Sequence, residues 1–182
     1  MKIILMASVL LFSSPTYSNP ILQNSVWGSA ASYAGINVAT LYSIAVQESG
    51  MRWRDGTFRP WPWTLNINEG KNGIKAGSRR YANKQAAEQA LMHLISQGIR
   101  NVDVGIMQVN LYWHGDKVAN ELSLLDPKTN INVAAGYLKD LNTKNNVSKT
   151  VADYHAPSNP TRGKAYMNHV KHYEKIINEK LQ

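Results

Sequence analysis

The chain has 182 residues, 43% of them hydrophobic, enough to bury an ordinary core in one domain. It has no cysteine, which excludes disulfides, thiolate metal sites, a cysteine nucleophile and a lipid anchor on an N-terminal cysteine. A formal charge of +8 suits anionic partners such as nucleic acid, acidic head groups or the peptide carboxylates of peptidoglycan; the scattered placement of the basic residues equally fits an ordinary basic surface.

The first segment reads as a secretory signal. Lys2 supplies a positive charge, Ile3 to Phe12 form an apolar run, and Thr16-Tyr17-Ser18 places small residues for cleavage after Ser18. The competing readings are a core element or a retained signal anchor. No stretch reaches the ~18 apolar residues of a membrane span. The expectation is a mature, monomeric domain over residues 19–182, soluble in the periplasm or outside the cell, where nucleic acid is not a partner.

A helix is expected over Leu22 to Ala34, closed by Gly35, and a second over Val38 to Ser49, capped by Asn37 with Gly50 as its stop. Residues 51–82 break the helical pattern. They hold Trp53, Pro60, Trp61, Pro62 and Trp63, and Trp63 to Asn68 alternates at the period of a strand. Asn83 caps a helix to Gln97, with Ala87, Leu91, Leu94 and Ile95 on one face. Asp103 to Asn110 reads as a loop. Asp126-Pro127 opens a helix to about Leu141. Ser148 caps a short helix to Tyr154, and Thr161 starts the last helix, through Tyr166, Val170, Tyr173 and Ile177. The fold class is mainly α (α+β).

In the second helix Leu41, Ile44, Ala45 and Glu48 fall at i, i+3, i+4 and i+7 and share one face. A carboxylate in line with an apolar stripe loses water, which favours its protonated form, and the negative end of the helix dipole pushes the same way. Such a glutamic acid suits general-acid cleavage of a glycosidic bond. The competing reading pairs Glu48 with Arg52 or Arg54. His169 and His172 stand at i, i+3, but with no carboxylate motif beside them they read as a solvated face; no metal or other cofactor is expected. No phosphate loop or Ser-His-Asp pattern appears.

Val46-Gln47-Glu48-Ser49-Gly50 resembles the first motif of the family 1 soluble lytic transglycosylases, relatives of goose-type lysozyme. Gly105-Ile106-Met107-Gln108-Val109-Asn110 resembles the second motif, and Asp126 to Leu138 the helix that follows it. Ala152-Asp153-Tyr154-His155-Ala156 stands where the family has Ala-x-Tyr-Asn, and Thr161-Arg162…Tyr166…Val170 resembles its last helix. These pieces in order are specific where each alone is weak. The resemblance implies a lysozyme-like helical domain with a small β or irregular insert, residues 51–104, after the catalytic helix. It implies cleavage between N-acetylmuramic acid and N-acetylglucosamine with a 1,6-anhydro product.

By the same resemblance Glu48 is the single acid and base, and Ser49 holds substrate or orients the glutamate. Met107 and Gln108 line the cleft, and Tyr154 donates a hydrogen bond near Glu48. Core or plain helical roles compete for Ser49, Met107 and Tyr154. His155 replaces the family's Asn, which leaves that hydrogen bond in doubt. The 56 residues between Glu48 and Gly105 exceed the compact members' spacing. The insert's Arg59-Pro60-Trp61-Pro62-Trp63-Thr64-Leu65-Asn66 resembles members serving conjugation, type IV pilus and type III secretion systems, so components of such an assembly are candidate partners besides the glycan strands. Trp61 and Trp63 suit sugar stacking, or they pin the insert to the core. A hydrolytic lysozyme would need a second carboxylate; Asp103, Asp55, Glu69 and Asp153 are the candidates, Asp103 foremost, though it reads preferably as a structural residue holding its loop. A wall-binding assembly factor without activity is the non-enzymatic alternative.

Overall fold

The computed structural model describes residues 20–180, so the signal segment 1–18 lies outside the described residues. In place of one helix from Leu22 there are two, α1 (Pro20–Gln23) and α2 (Val26–Ala34). The Ser25 hydroxyl causes the break. It donates to the Leu22 carbonyl at 2.6 Å and accepts the Trp27 N–H at 3.1 Å, closing one helix and capping the next.

Helix α3 (Val38–Ser49) forms as its pattern dictates, with the Asn37 side chain accepting the Ala39 N–H at 2.8 Å. Leu41, Ile44 and Ala45 are fully buried. Each of the two larger side chains contributes roughly 1.5–3 kcal/mol by leaving water. Gly50 ends the helix, but not through a left-handed backbone: its φ is −55°. A side chain there would meet the Val46 carbonyl at 2.3 Å and the Phe58 ring at 2.5 Å, so close approach is what demands glycine.

Helix α3 packs against α2 and against α8 (Pro160–Lys180), which also lies on α7 (Val147–His155); α6 (Pro127–Leu141) packs on α2 and α7. Two starts differ from expectation. The Asn146 side chain, not Ser148, caps α7 by accepting the Lys149 N–H, and α8 begins at Pro160 with Asn159 accepting the Arg162 N–H. Helix α4 (Lys84–Ser96) is capped by Asn83 as its sequence indicates, and a single turn, α5 (Leu111–His114), precedes α6. Among the described residues no helix is long and apolar enough to cross a membrane.

The region after α3 is built of strands. β1 (Gly50–Arg52) and β2 (Phe58–Pro60) form an antiparallel pair. β3 (Thr64–Ile67), β4 (Gly77–Arg80), β5 (Val102–Val104) and β6 (Val109–Asn110) form an antiparallel sheet in the order β4-β3-β5-β6. The strand expected near residues 63–68 is β3. The loop expected over 103–110 is a hairpin instead, because β5 and β6 are too short to show periodicity; β5 is held by pairing with β3, and β6 by pairing with β5. Leu65, Ile67, Val102 and Val104 turn into the core, while Asn66, Asp103 and Asn110 take alternate positions on the opposite face. The result is a mainly α fold with a small β insert.

Candidate active site

A cleft of about 1000 Å³ opens between this sheet face and the helices. Its lining includes Glu48, the sheet residues Asn66, Asn68, Asp103 and Asn110, and the helical Tyr137, Tyr154, His155 and Tyr166. Glu48 therefore stands at the bottom of α3 where the buried stripe meets open space. The side chain is partly exposed to the cleft but protein surrounds its carboxyl. Burial, first, and the nearby Asp103 charge, last, push its pKa from 4.5 up to about 7; a hydrogen bond from Tyr166 pulls the other way. That bond runs from the Tyr166 hydroxyl to Glu48 Oε1 at 2.5 Å. Among the described residues neither Arg52 nor Arg54 forms an ion pair with Glu48.

The expected donor, Tyr154, is committed elsewhere: its hydroxyl donates to the Met107 carbonyl at 2.8 Å. Tyr154 does line the cleft, and burial together with the Glu48 charge raises its pKa well above the ordinary tyrosine value, as it does for Tyr166. Both hydroxyls stay protonated donors. His155 stacks parallel on the Tyr166 ring, with centroids 4.5 Å apart and 4° between planes. The imidazole thus braces the tyrosine that holds Glu48. Burial, then the Arg162 charge, lower its pKa, so it is neutral at pH 7.

The Gly105–Gln108 turn sits beside Glu48 and is clamped from both sides. Ser49 is fully buried and its hydroxyl bonds the Ile106 carbonyl at 2.7 Å and the Ala45 carbonyl at 3.2 Å. It cannot touch substrate. Adjacent helical residues point about 100° apart, so Glu48 facing the cleft turns Ser49 inward. Its role is to tie the end of α3 to the turn. Met107 is likewise fully buried and serves the core instead of lining the cleft; its N–H donates to Asn130 Oδ1 at 2.8 Å. Asn130, also fully buried, donates from Nδ2 to the carbonyls of Val104 and Leu124, each at 2.8 Å. Gly105 has φ +83° and presses against Asn130 and Leu124 so closely that a Cβ would lie 2.6 Å from both. Gln108 does line the cleft. It adopts φ +50°, a strain of about 1 kcal/mol, and its amide donates to the carbonyls of Gly105 at 2.8 Å and Thr64 at 3.2 Å.

Asp103 occupies the centre of the sheet face. The β3–β5 register sets Asn66 opposite it on one side, and β5–β6 sets Asn110 opposite on the other. Its Oδ2 accepts from Asn66 and Asn68 at 3.0 and 2.9 Å, and its Oδ1 from Asn110 at 2.7 Å. Three amides therefore grip one carboxylate across three strands, which fits the structural reading. The other acidic candidates stand outside the cleft lining: Asp55 bonds Thr57 and Arg59, Asp153 pairs with Lys149, and Glu69 is exposed.

Trp61 and Trp63 do not line the cleft. Trp53, Trp61 and Trp63 pack edge to face in series, with centroids 5.0 Å apart at each step, and the Trp61 Nε1–H donates to the Tyr81 carbonyl at 2.8 Å. They pin the insert, because hydrophobic rings with a satisfied N–H are worth more buried together than spread along a wet wall. The cleft's aromatic edge is Trp113, 69% exposed and packed edge to face on Tyr112. Sequence reasoning missed Trp113, Tyr166 as the partner of Glu48, and the amide row. Only the amides left a readable trace: Asn66 and Asn68, like Asn101 and Asp103, are two apart and so share a strand face.

A buried acid, a wall of amides and an exposed indole suit a polar polymer with flat apolar faces. Comparison with known protein families finds the transglycosylase SLT domain at residues 74–177, more than half of the chain, beginning after Glu48. No curated protein and no solved structure matches the chain. The mainly α architecture with its small β insert is that of a lysozyme-like domain. The chain belongs to the transglycosylase SLT domain family, the lytic transglycosylases of peptidoglycan.

Proposed function

We propose that this protein cleaves the bond between N-acetylmuramic acid and N-acetylglucosamine with Glu48 as acid and then base. The observation carrying the reading is a buried glutamate, its pKa raised to about 7, in a large polar cleft whose other carboxylate is held by three amides. Protonated Glu48 gives its proton to the bridging oxygen as the C1–O bond breaks. The substrate's own acetamido group stabilises the positive charge at C1. The Glu48 carboxylate then takes the proton of the muramic acid C6 hydroxyl, whose oxygen bonds C1. A 1,6-anhydro end results and no water is consumed. Tyr166 holds the carboxyl in place at each step, and its hydrogen bond strengthens when Glu48 is charged. The sheet amides offer hydrogen bonds to acetamido and hydroxyl groups, and Trp113 offers a stacking face.

Hydrolysis is the rival outcome, since two carboxylates flanking a sugar can activate water. The engagement of both Asp103 oxygens favours the anhydro route. Export by the N-terminal segment would deliver the enzyme to the periplasm. The Trp-rich insert supports a role in opening the wall locally for a conjugation, pilus or secretion assembly. Replacing Glu48 with Gln in the purified protein should abolish wall clearing while wall binding survives. Mass spectrometry of the wild-type products should find anhydro ends; reducing ends would replace this reading with a lysozyme, and clearing by the Gln variant would remove Glu48 from the chemistry.

A further inference from the structure

Away from the cleft, a second cavity of about 420 Å³ lies between the β3–β4 hairpin and α4. Lys75, Arg79 and His93 line it, over apolar surface from Ile74, Ala90 and Leu94. Its geometry is built. The Arg79 guanidinium donates to the Lys75 backbone carbonyl at 2.8 Å, which fixes the arginine in the wall. Tyr81, also in the wall, is fixed through its backbone by Trp63 and by the Trp61 indole. No carboxylate lines the cavity, and none of its basic side chains joins an ion pair among the described residues.

We infer that this cavity binds a carboxylate of a peptidoglycan stem peptide, forming a wall contact separate from the cleft. Its volume falls in the range of small-ligand sites, ~300–1000 Å³. Apolar floor beside two cations matches a short peptide in which small apolar residues alternate with free carboxylates. The inference rests on the wall-cleaving reading, because the polymer in the cleft then presents such peptides at high local concentration. An acidic segment of a protein partner is the competing ligand class.

The test uses the full mature chain carrying Glu48→Gln, so that substrate survives. Binding is measured to intact wall sacculi, to glycan strands stripped of peptides by an amidase, and to a Glu-rich protein peptide. Adding Lys75→Glu with Arg79→Gln should weaken binding to intact sacculi about tenfold, the loss of one charge-assisted contact, and leave binding to stripped strands unchanged. A soluble disaccharide-peptide should shift the NMR signals of His93 and Tyr81. Lys75→Glu alone changes an exposed side chain. It should keep the unfolding midpoint and still weaken binding several-fold. Undiminished binding to sacculi, equal loss on stripped strands, or tight binding of the Glu-rich peptide without the wall peptide would each overturn the inference. Wall clearing by the Glu48→Gln chain would instead sink the catalytic reading, whatever the binding results.

Discussion

Replacing Glu48 with Gln should stabilise the protein at alkaline pH and not at acid pH. The unfolded chain carries Glu48 with an ordinary pKa of 4.5, and the folded chain with one of about 7. Between those values the folded state binds more protons, so stability is lost as pH rises through that window and is constant above it. Tyr166 donates to the carboxyl, Asp103 adds a like charge, and Tyr154 is the other titratable group close by. From pH 5 to pH 8 the difference amounts to about 2.5 kcal/mol. Gln is a neutral isostere whose carbonyl still accepts from Tyr166, so it lacks this slope. For a chain of 182 residues, at about 2–4 °C per kcal/mol, the variant's melting midpoint should gain roughly 5–10 °C on wild type between pH 5 and pH 8. Urea unfolding at the two pH values gives the same double difference in free energy. Parallel pH dependences of the two proteins would refute the reasoning: Glu48 would then be an ordinary carboxylate, and its readiness as an acid would lack a physical basis.

Catalysis should follow the same titration, with kcat/KM falling tenfold per pH unit above about 7 as the acid form disappears. Tyr166→Phe removes the bond that lowers the Glu48 pKa, so that alkaline limb should move to higher pH while the optimal rate drops about tenfold or more; a limb that stays in place would refute the hydrogen bond. Asn130→Ala strands three buried backbone groups and should cost about 3 kcal/mol or more by urea unfolding, whereas a surface-like loss under 1 kcal/mol would mean the clamp is not made. Trp113→Ala should leave the melting midpoint unchanged and raise KM on soluble glycan strands several-fold, since the ring is mostly exposed; unchanged kinetics would remove it from substrate binding.

What was readable from the sequence was local. The 3.6-residue period placed Glu48 on the buried stripe with Leu41, Ile44 and Ala45, and the Asn37, Asn83 and Asp126 caps set helix starts by bonds to residues two or three along. Burial of that stripe is already enough to predict a protonated glutamate. Ser49 and Met107 were misplaced because a motif states which residues occur, not which way they point. The hairpin at 102–110 was missed because its strands have only two or three residues, and β5 draws its stability from pairing with β3, which lies far upstream.

The sequence by itself determined most of the helices, the Asn37, Asn83 and Asp126 caps, and the place of Glu48 on the buried stripe. Tertiary structure alone decided the acid's company. Tyr166 lies 118 residues from Glu48 and reaches it only because α8 packs on α3. Asp103 is gripped by Asn66 and Asn110 only because three strands come into register. Helical periodicity arises from the geometry of neighbouring residues, so it is written along the chain; a hydrogen bond between distant side chains depends on the packing of whole elements, and no local pattern encodes that.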